Sequence, residues 1–160
     1  MTAATSTTAA ARSKRPFAVR NSKIHGRGVF ATERIPKGTR LIEYTGEMIT
    51  WPVADKRYAH NGERGYHTFL FDIDGKRVID AAVGGNAARW INHSCAPNCQ
   101  AVGDGDKIFI EAIKTIKPGE ELGYDYGFVF EERHTPELKS RYKCLCGAKN
   151  CRGTMLAKKR

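Results

Sequence analysis

The sequence lacks the features that mark membrane and secreted proteins. No apolar run approaches the roughly 20 residues that a membrane span needs, and the N-terminus has no hydrophobic segment of a secretory signal. Residues 1–15 contain no acidic side chain and are rich in Ser, Thr and Ala, which favours a disordered basic tail over an organelle transit peptide. These absences predict an intracellular protein without a membrane segment.

Acidic residues are absent from both ends of the chain. Residues 1–32 carry six basic side chains and residues 139–160 carry eight, whereas residues 33–138 hold 13 basic against 17 acidic ones. Nucleic-acid binders usually carry a basic patch on the folded body, so the pattern predicts weak, non-specific nucleic-acid binding at most. A mildly acidic body suits a basic peptide as partner. Charge alone equally allows ends that only keep the chain soluble.

Long helical patterns are also missing. The 160 residues, 41% of them hydrophobic, suffice for one domain with one core. Short apolar segments separated by Gly, Pro and Asp turns predict a mainly β domain with few short helices. The predicted helices cover 51–61 and 87–91, a turn enters a strand at 25–30, and further strands cover 41–45, 69–73, 77–80, 101–102, 107–112 and 121–126.

Cysteine is scarce, with five residues, but three of them lie within eight positions. Without a secretion signal the compartment is expected to be reducing, where clustered cysteines are more often metal ligands than disulfides. Cys144, Cys146 and Cys151 therefore predict a zinc site, which needs a fourth soft ligand. Cys95 and Cys99 are both available for that role, and the other one is expected to be a buried apolar residue.

Other motifs have structural as well as functional interpretations. The two glycines of HGRGVF favour a simple hairpin turn over a backbone that approaches a ligand. Tyr44, Tyr124 and Tyr126 are, by themselves, more typical of core aromatics than of catalytic groups. Asn92 and His93 suit a turn with a satisfied buried histidine as well as they suit a binding site.

Five motifs follow one another over some 140 residues: HGRGVF (25–30), EYTGE (43–47), GNAARWINHSCAPNC (85–99), GEELGYDYG (119–127) and CLCGAKNCRGTM (144–155). Together they resemble the SET-domain protein-lysine methyltransferases with a post-SET segment. The trithorax-type histone H3 methyltransferase branch is the most similar.

This resemblance implies a β-clip-like SET fold with a C-terminal pseudoknot over residues 16–128. A post-SET zinc-binding segment and a basic C-terminus would follow over residues 129–160. The implied methyl donor is S-adenosylmethionine, with one structural zinc ion. The implied acceptor is a lysine of a histone-like or other basic protein, which meets the donor in a narrow channel from the opposite face.

The resemblance also implies roles for individual residues. The channel residues are Tyr126, Tyr44 and Tyr124. The zinc ligands are Cys95, Cys144, Cys146 and Cys151, which leaves Cys99 as the spare cysteine. The cofactor contacts come from four segments: His25, Gly26, Arg27, Gly28, Phe69, Asn92, His93 and Leu145.

Two positions refine these expectations. Phe69 departs from the family pattern, because many relatives carry a tyrosine there; either Tyr66 supplies the hydroxyl after a small register shift, or the contact is absent. Tyr124 occupies a position that is Phe or Tyr in the family. Its hydroxyl can bind an amine or a water and fill the space that further methyl groups need, which predicts a bias to monomethylation.

The sequence also allows two rival functions. One is a zinc-stabilised module that has lost catalysis but still binds basic peptides, and the other is a small nucleic-acid binder that uses the basic ends. The sequence does not name the target lysine. It predicts a nuclear location in a eukaryote and a cytoplasmic protein or secreted effector in a bacterium.

Overall fold

The computed structural model of the chain describes residues 14–60 and 69–158. Within these ranges strands predominate over helices. The helices are α1 (Trp51–Tyr58) and α2 (Pro136–Arg141), with one 3-10 turn at Ala87–Trp90. The strands are β1 (Phe17–Asn21), β2 (Arg27–Ala31), β3 (Arg40–Glu43), β4 (Glu47–Thr50), β5 (Leu70–Asp72), β6 (Arg77–Asp80), β7 (Asn92–His93), β8 (Cys99–Asp104), β9 (Lys107–Ala112) and β10 (Gly123–Tyr124).

The strands form small sheets rather than one large sheet. β1 pairs with β2, β9 lies between β3 and β8, and β6 lies between β4 and β5, all antiparallel. β9 shows why these segments become strands, because Ile108, Ile110 and Ala112 are buried while the residues between them are more exposed. This alternation is the period of a strand with one buried face.

The larger of two hydrophobic clusters in the described residues joins the sheets, and a smaller one of Ile49, Ala54 and Val78 packs α1 against β4 and β6. The fully buried members of the larger cluster include Val29 on β2, Ile91 before β7, Ile110 on β9 and Leu122 before β10. Burying each such side chain contributes roughly 1.5–3 kcal/mol. Because these residues come from distant parts of the sequence, the core holds together the loops that build the site.

A short parallel strand pair is the central feature of the topology. β7 and β10 align Asn92 with Gly123 and His93 with Tyr124. The backbone N–H of Ser94 donates to the Tyr124 carbonyl oxygen at 3.1 Å. Residues 92–98 thereby wrap around the later segment 121–124, in agreement with the pseudoknot that the sequence predicts.

Asn98 closes this wrap from the other side. Its backbone N–H donates to the carbonyl oxygen of Gly123 at 3.2 Å. Its side chain donates to the Glu121 carbonyl oxygen and accepts from the Gly123 N–H, both at 2.9 Å. Three hydrogen bonds from one residue therefore fix strand β10 beneath the loop.

The mainly β prediction is confirmed, with differences at particular elements. Both predicted hairpins form, as β5–β6 and β8–β9. The helix predicted at 51–61 ends at Tyr58, and the last strand is limited to Gly123–Tyr124 because the following residues turn toward His93.

Of the described elements, the sequence prediction missed four: β1, β4, β7 and α2. β4 has only one buried residue, Ile49, so it shows no apolar periodicity. α2 begins at Pro136, after Thr135 accepts the N–H of Leu138 with its side chain. The Thr-Pro pair is a helix-start signal. Neither α1 nor α2 is long and apolar enough to cross a bilayer.

Candidate active site and metal centre

The side-chain amide of Asn92 joins the loop before β2 to the segment before β10. Its Nδ2 lies 2.9 Å from the Arg27 carbonyl oxygen, 3.3 Å from that of His25 and 2.9 Å from Oε1 of Glu121. Three oxygens around one amide atom identify that atom as the nitrogen. Both amide hydrogens are thus used within the protein, which leaves the amide oxygen of Asn92 as an acceptor for a ligand.

Glu121 lies at the centre of this contact. The Ser22 hydroxyl is 2.8 and 3.0 Å from its two carboxylate oxygens. A Cβ atom on Gly28 would lie 2.2 Å from Oε1 of Glu121. A side chain at this position would displace the carboxylate, so the second glycine of HGRGVF allows the close packing seen here, in addition to the turn that the motif predicts.

His93 is buried, with 4% of its surface exposed, and both ring nitrogens contact protein atoms. Nδ1 accepts the backbone N–H of Tyr126 at 3.0 Å, and Nε2 lies 3.3 Å from Sγ of Cys95. Burial lowers the pKa of His93 to about 4, against the opposing charge of Asp125. The ring is thus neutral at pH 7, with its proton on Nε2 and directed at the Cys95 sulfur.

The three candidate channel tyrosines lie together. The Tyr124 and Tyr126 rings are 4.9 Å apart between centroids, and Phe71 links Tyr44 to Tyr124 at 5.2 and 6.3 Å. The Tyr126 hydroxyl donates to the Ile91 carbonyl oxygen at 2.5 Å, and the Tyr44 hydroxyl donates to that of Phe69 at 3.1 Å. These residues come from three separate segments and belong to, or pack against, the main hydrophobic core.

Burial keeps the tyrosine hydroxyls protonated. Desolvation is the main cause of the raised pKa of Tyr44, Tyr124 and Tyr126. For Tyr126, the neighbouring Tyr44 and the negative charge of Glu121 raise the pKa further. At pH 7 these groups can therefore donate and accept hydrogen bonds, but they cannot serve as anionic bases.

Phe69 lies in a different setting from the tyrosines. Its ring meets Trp90 edge-on at 5.1 Å, and the Arg89 guanidinium lies 5.7 Å from it and 4.8 Å from the Trp90 ring. The Arg27 guanidinium lies 5.5 Å from the Trp90 ring centre. Cation–π contacts thus order the side chains around Phe69. Tyr66, the suggested substitute, lies outside the described residues.

A cavity of about 200 Å³ opens beside the parallel strand pair. Its lining combines apolar groups with carbonyl, amide and carboxylate chemistry: Ile24, His93, Ser94, Ala96, Asn98, Glu121, Leu122, Gly123 and Cys146. Leu145, predicted to cover the cofactor, adjoins Cys146 and is 55% exposed. Polar side chains such as Ser94, Asn98 and Glu121 thus converge with apolar groups on one concave surface.

Four cysteines meet beneath this cavity. The sulfur atoms of Cys95, Cys144, Cys146 and Cys151 all lie within 4.8 Å of one another. Cys95 is 3.7 Å from Cys144 and 3.9 Å from Cys151 between sulfurs. Tetrahedral zinc with Zn–S bonds of about 2.3 Å separates its sulfurs by about 3.8 Å. The donor set and its spacing therefore fit one zinc ion.

The fifth cysteine has a different environment. Cys99 is 1% exposed on β8, lies within the hydrophobic core, and has a pKa raised by burial to about 12. The prediction that one of Cys95 and Cys99 joins the cluster while the other fills the core is confirmed, and Cys95 is the cluster member. The predicted core role of Cys99 follows from its place on a buried strand face.

The cluster thiols differ in acidity. Burial raises the pKa of Cys95 and Cys144. Burial acts in the same direction on Cys146, but hydrogen bonds from the backbone and the neighbouring thiols together lower its pKa to about 7. Four thiolates so close together need a cation to balance their charge, which zinc would supply.

The remaining functional contacts were missed by sequence reasoning. Glu121 accepts from Asn92 and from Ser22, and both terminal nitrogens of Arg152 pair with Asp125 at 2.8 and 2.9 Å. Glu121 gives one usable signal, since an acidic residue directly before the buried run Leu122–Tyr124 needs a partner. Ser22 gives none, because the sequence cannot indicate a contact 99 positions away.

Comparison with known families identifies the class of protein that this fold and site define. The SET domain family matches residues 26–127, and the chain belongs to this family.

Curated relatives narrow the position of the chain within the family. It is 47% identical over 135 residues to the histone-lysine N-methyltransferase trithorax of Drosophila melanogaster, covering 82% of this chain and 3% of the relative. It is 47% identical over 137 residues to the H3 lysine-4 specific histone-lysine N-methyltransferase of Schizosaccharomyces pombe, covering 82% and 14%.

A human relative is also named as a histone-lysine N-methyltransferase. The chain is 42% identical over 144 residues to histone-lysine N-methyltransferase 2B of Homo sapiens, covering 88% of this chain and 5% of the relative. The expected similarity to trithorax-type histone H3 methyltransferases is thus confirmed. The chain spans a small fraction of the length of these relatives, so it matches one domain of each.

Proposed function

We propose that the protein is an S-adenosylmethionine-dependent protein-lysine N-methyltransferase that acts on histone-like or other basic protein tails, with a bias to monomethylation. The parallel pairing of β7 with β10 carries this proposal, because it aligns Asn92 and His93 with the segment that bears Tyr124 and Tyr126. The names of the relatives, which are histone-lysine methyltransferases, support the same activity.

The chain has groups suited to hold the methyl donor. The amide oxygen of Asn92 can accept a hydrogen bond from the ammonium group of the methyl donor. The Arg27 guanidinium can form an ion pair with the donor's carboxylate. Ile24 lines the cavity and can contact the donor's adenine; Leu145, which precedes the lining residue Cys146 and is exposed, can cover the adenine from outside. S-Adenosylmethionine, when bound, supplies a methyl group on a positively charged sulfur.

The tyrosines would align the acceptor. A lysine attacks only when its nitrogen is unprotonated, and free lysine has a pKa of about 10.4. The proposed route for its proton is to solvent, favoured by the positive charge nearby. The Tyr126 hydroxyl donates its proton in a hydrogen bond to the Ile91 carbonyl oxygen. Its oxygen lone pairs are then available to accept a hydrogen bond from the amine and to orient it. Such alignment is worth about 7–11 kcal/mol in well-oriented systems.

Zinc would have a structural role. The four ligands proposed are Cys95, Cys144, Cys146 and Cys151, which leave no position for water or substrate. The neutral His93 ring donates a hydrogen bond from Nε2 toward the Cys95 sulfur and accepts one at Nδ1 from the Tyr126 backbone N–H. An ion at this place would therefore hold the C-terminal segment beside the cavity and the catalytic strand.

The substrate class rests on charge and on the relatives. The segment between residues 33 and 138 is net acidic, which suits a lysine-rich peptide. The Schizosaccharomyces pombe relative is named as specific for lysine 4 of histone H3. Histone H3 is therefore the first substrate to test, and a nuclear location follows if the source is a eukaryote.

Purified protein incubated with methyl-labelled S-adenosylmethionine and core histones tests the proposal directly. Intact mass spectrometry should show a gain of one methyl group on a histone. Tyr126→Phe should reduce the rate by about 100-fold, because the positioned acceptor that orients the amine is lost. Tyr58→Phe is the matched control, since its hydroxyl contacts Asp80 instead of the channel.

The outcomes separate the alternatives. A Tyr126→Phe protein with unchanged rate would contradict the role of the hydroxyl. Absence of transfer to histones and other basic proteins, together with no binding of S-adenosylmethionine, would leave the zinc-stabilised peptide-binding module as the better description.

A further inference from the structure

Glu121 carries a negative charge that no cation of the described chain neutralises. Its carboxylate contacts are the Ser22 hydroxyl and the Asn92 amide, both of them neutral donors. No ion pair among the described residues includes it. The half-buried carboxylate of Glu121 therefore accepts hydrogen bonds from neutral groups, and its negative charge has no positive partner in the described chain.

Nearby cations of the described chain do not pair with Glu121. Arg152 pairs with Asp125, and the Arg27 guanidinium, the proposed partner of the donor's carboxylate, lies against the Trp90 ring. Gly28 packs closely against the carboxylate and offers no side chain of its own to pair with it. The positive charge that would balance Glu121 is therefore expected from a ligand.

The Glu121 carboxylate also lies where it can interact electrostatically with a bound ligand. Its Oε1 holds the nitrogen of Asn92, the residue whose amide oxygen is left as an acceptor. Glu121 lines the cavity. Its charge also reaches the Tyr126 hydroxyl, although burial and Tyr44 contribute more to the raised pKa of that group.

We propose that Glu121 makes the cofactor site prefer the cationic methyl donor over the neutral-sulfur product, and so favours product release after each transfer. The inference rests on the proposed function. In the transfer, the lysine nitrogen bonds to the methyl carbon and the sulfur–methyl bond breaks. The sulfur keeps the electron pair as a thioether, so the ligand loses one positive charge while the substrate nitrogen gains it.

The size of the effect follows from Coulomb's law. Losing one charge several ångströms from a partly solvated carboxylate changes a binding constant by about two- to tenfold. Ser22 and Asn92 hold the carboxylate in place without neutralising it, so this preference is present in the folded protein before any ligand binds. Glu121 is thus both a positioning residue for Asn92 and a source of charge selectivity.

Calorimetric dissociation constants for S-adenosylmethionine and S-adenosylhomocysteine test this inference without relying on turnover. Glu121→Gln should weaken binding of S-adenosylmethionine by about two- to tenfold and leave S-adenosylhomocysteine much less affected. Glu120→Gln is the matched control: it removes the same charge one position away, where the carboxylate is exposed and accepts the Lys117 N–H. This control should leave the ratio of the two constants unchanged.

A second measurement avoids mutation, in case the variant does not fold. In the wild-type protein, raising the salt concentration should reduce the preference for the cationic ligand, because salt screens the carboxylate. Equal weakening of both ligands by Glu121→Gln, or a salt-independent ratio in the wild type, would overturn the inference and leave the proposed function standing. A wild-type protein that binds neither ligand would overturn both.

Discussion

Arg152 binds Asp125 with both prongs of its guanidinium, at 2.8 and 2.9 Å. Asp125 lies between the two catalytic candidates Tyr124 and Tyr126, and Arg152 directly follows Cys151 of the cysteine cluster. The backbone N–H of Arg152 also donates to the Cys95 sulfur at 3.4 Å. This pair therefore connects the C-terminal segment to the strand that carries the proposed chemistry.

Replacing Arg152 by Gln should loosen that connection. The loss of a partly buried, charged hydrogen bond is expected to lower the free energy of unfolding by about 1–3 kcal/mol. The affinity for S-adenosylmethionine should fall as well, while the zinc content stays at one ion per chain. Arg40→Gln is the control, since its pair with Glu111 is exposed and should contribute less. Equal effects of the two variants in urea denaturation would contradict a connecting role.

Removal of zinc should act on the cofactor site and on stability together. Because Cys146 both joins the cluster and lines the cavity, a strong chelator or Cys151→Ser is expected to lower the melting temperature and to weaken binding of S-adenosylmethionine. Elemental analysis should give one zinc ion per chain before treatment.

Cys99→Ala provides the comparison for the zinc experiment. It removes a thiol from the core and not from the cluster, so the protein should lose some stability but keep its zinc. A Cys99→Ala protein without zinc, or a Cys151→Ser protein with full zinc, would contradict the ligand set.

Tyr124→Phe should change the product more than the rate. Tyr124 is buried, and its ring centroid lies 4.9 Å from that of Tyr126. Removing the hydroxyl makes room beside the lysine nitrogen and removes a hydrogen bond to it. Di- and trimethyl products should therefore increase relative to the wild type. Mass spectrometry of a histone H3 peptide after long incubation measures this. Only monomethyl product from both proteins would count against the proposed bias.

Stability should decline in acid partly through Asp80. Although burial opposes ionisation, hydrogen bonds from Tyr58, Arg57 and the Ala82 N–H lower the pKa of Asp80 below its ordinary value. The ionised group thus stabilises the fold fully above about pH 4, the ordinary aspartate pKa, and this stabilisation is lost as the pH falls through the lowered pKa.

Asp80→Asn should show this contribution. At pH 7 the substitution is expected to cost about 1–3 kcal/mol, because buried donors lose a charged acceptor. As the pH falls toward 3, the difference in unfolding free energy between the variant and the wild type should shrink. A difference that stays constant between pH 7 and pH 3 would show that Asp80 does not titrate in this way.

Sequence patterns predicted the hairpins because their signals are local. Asp74-Gly75-Lys76 lies between two apolar runs, and the turn and both strands of β5–β6 appear where this pattern predicts them. β4 was missed because four residues with one buried side chain carry no periodic signal. The five motifs likewise indicated the family and the segments that form the site.

The cysteines show where local information ends. Spacing identified Cys144, Cys146 and Cys151 as one group, but Cys95 and Cys99 were equal candidates for the fourth position by spacing alone. Their side chains are separated in the structure because Cys99 lies on β8 with its side chain in the core, whereas Cys95 lies in the loop that wraps around β10.

The sequence by itself determined the local motifs of the candidate site: an Asn-His pair, a glycine turn and three clustered cysteines, each recognisable within a few residues, whereas the three tyrosines were indicated by the resemblance to the family. Only the tertiary structure decided how these groups are connected. Ser22, Asn92 and Glu121 meet because residues 92–98 fold around a strand that follows about 25 residues later. Contacts across such a crossing depend on the packing of the whole core, which no local pattern encodes.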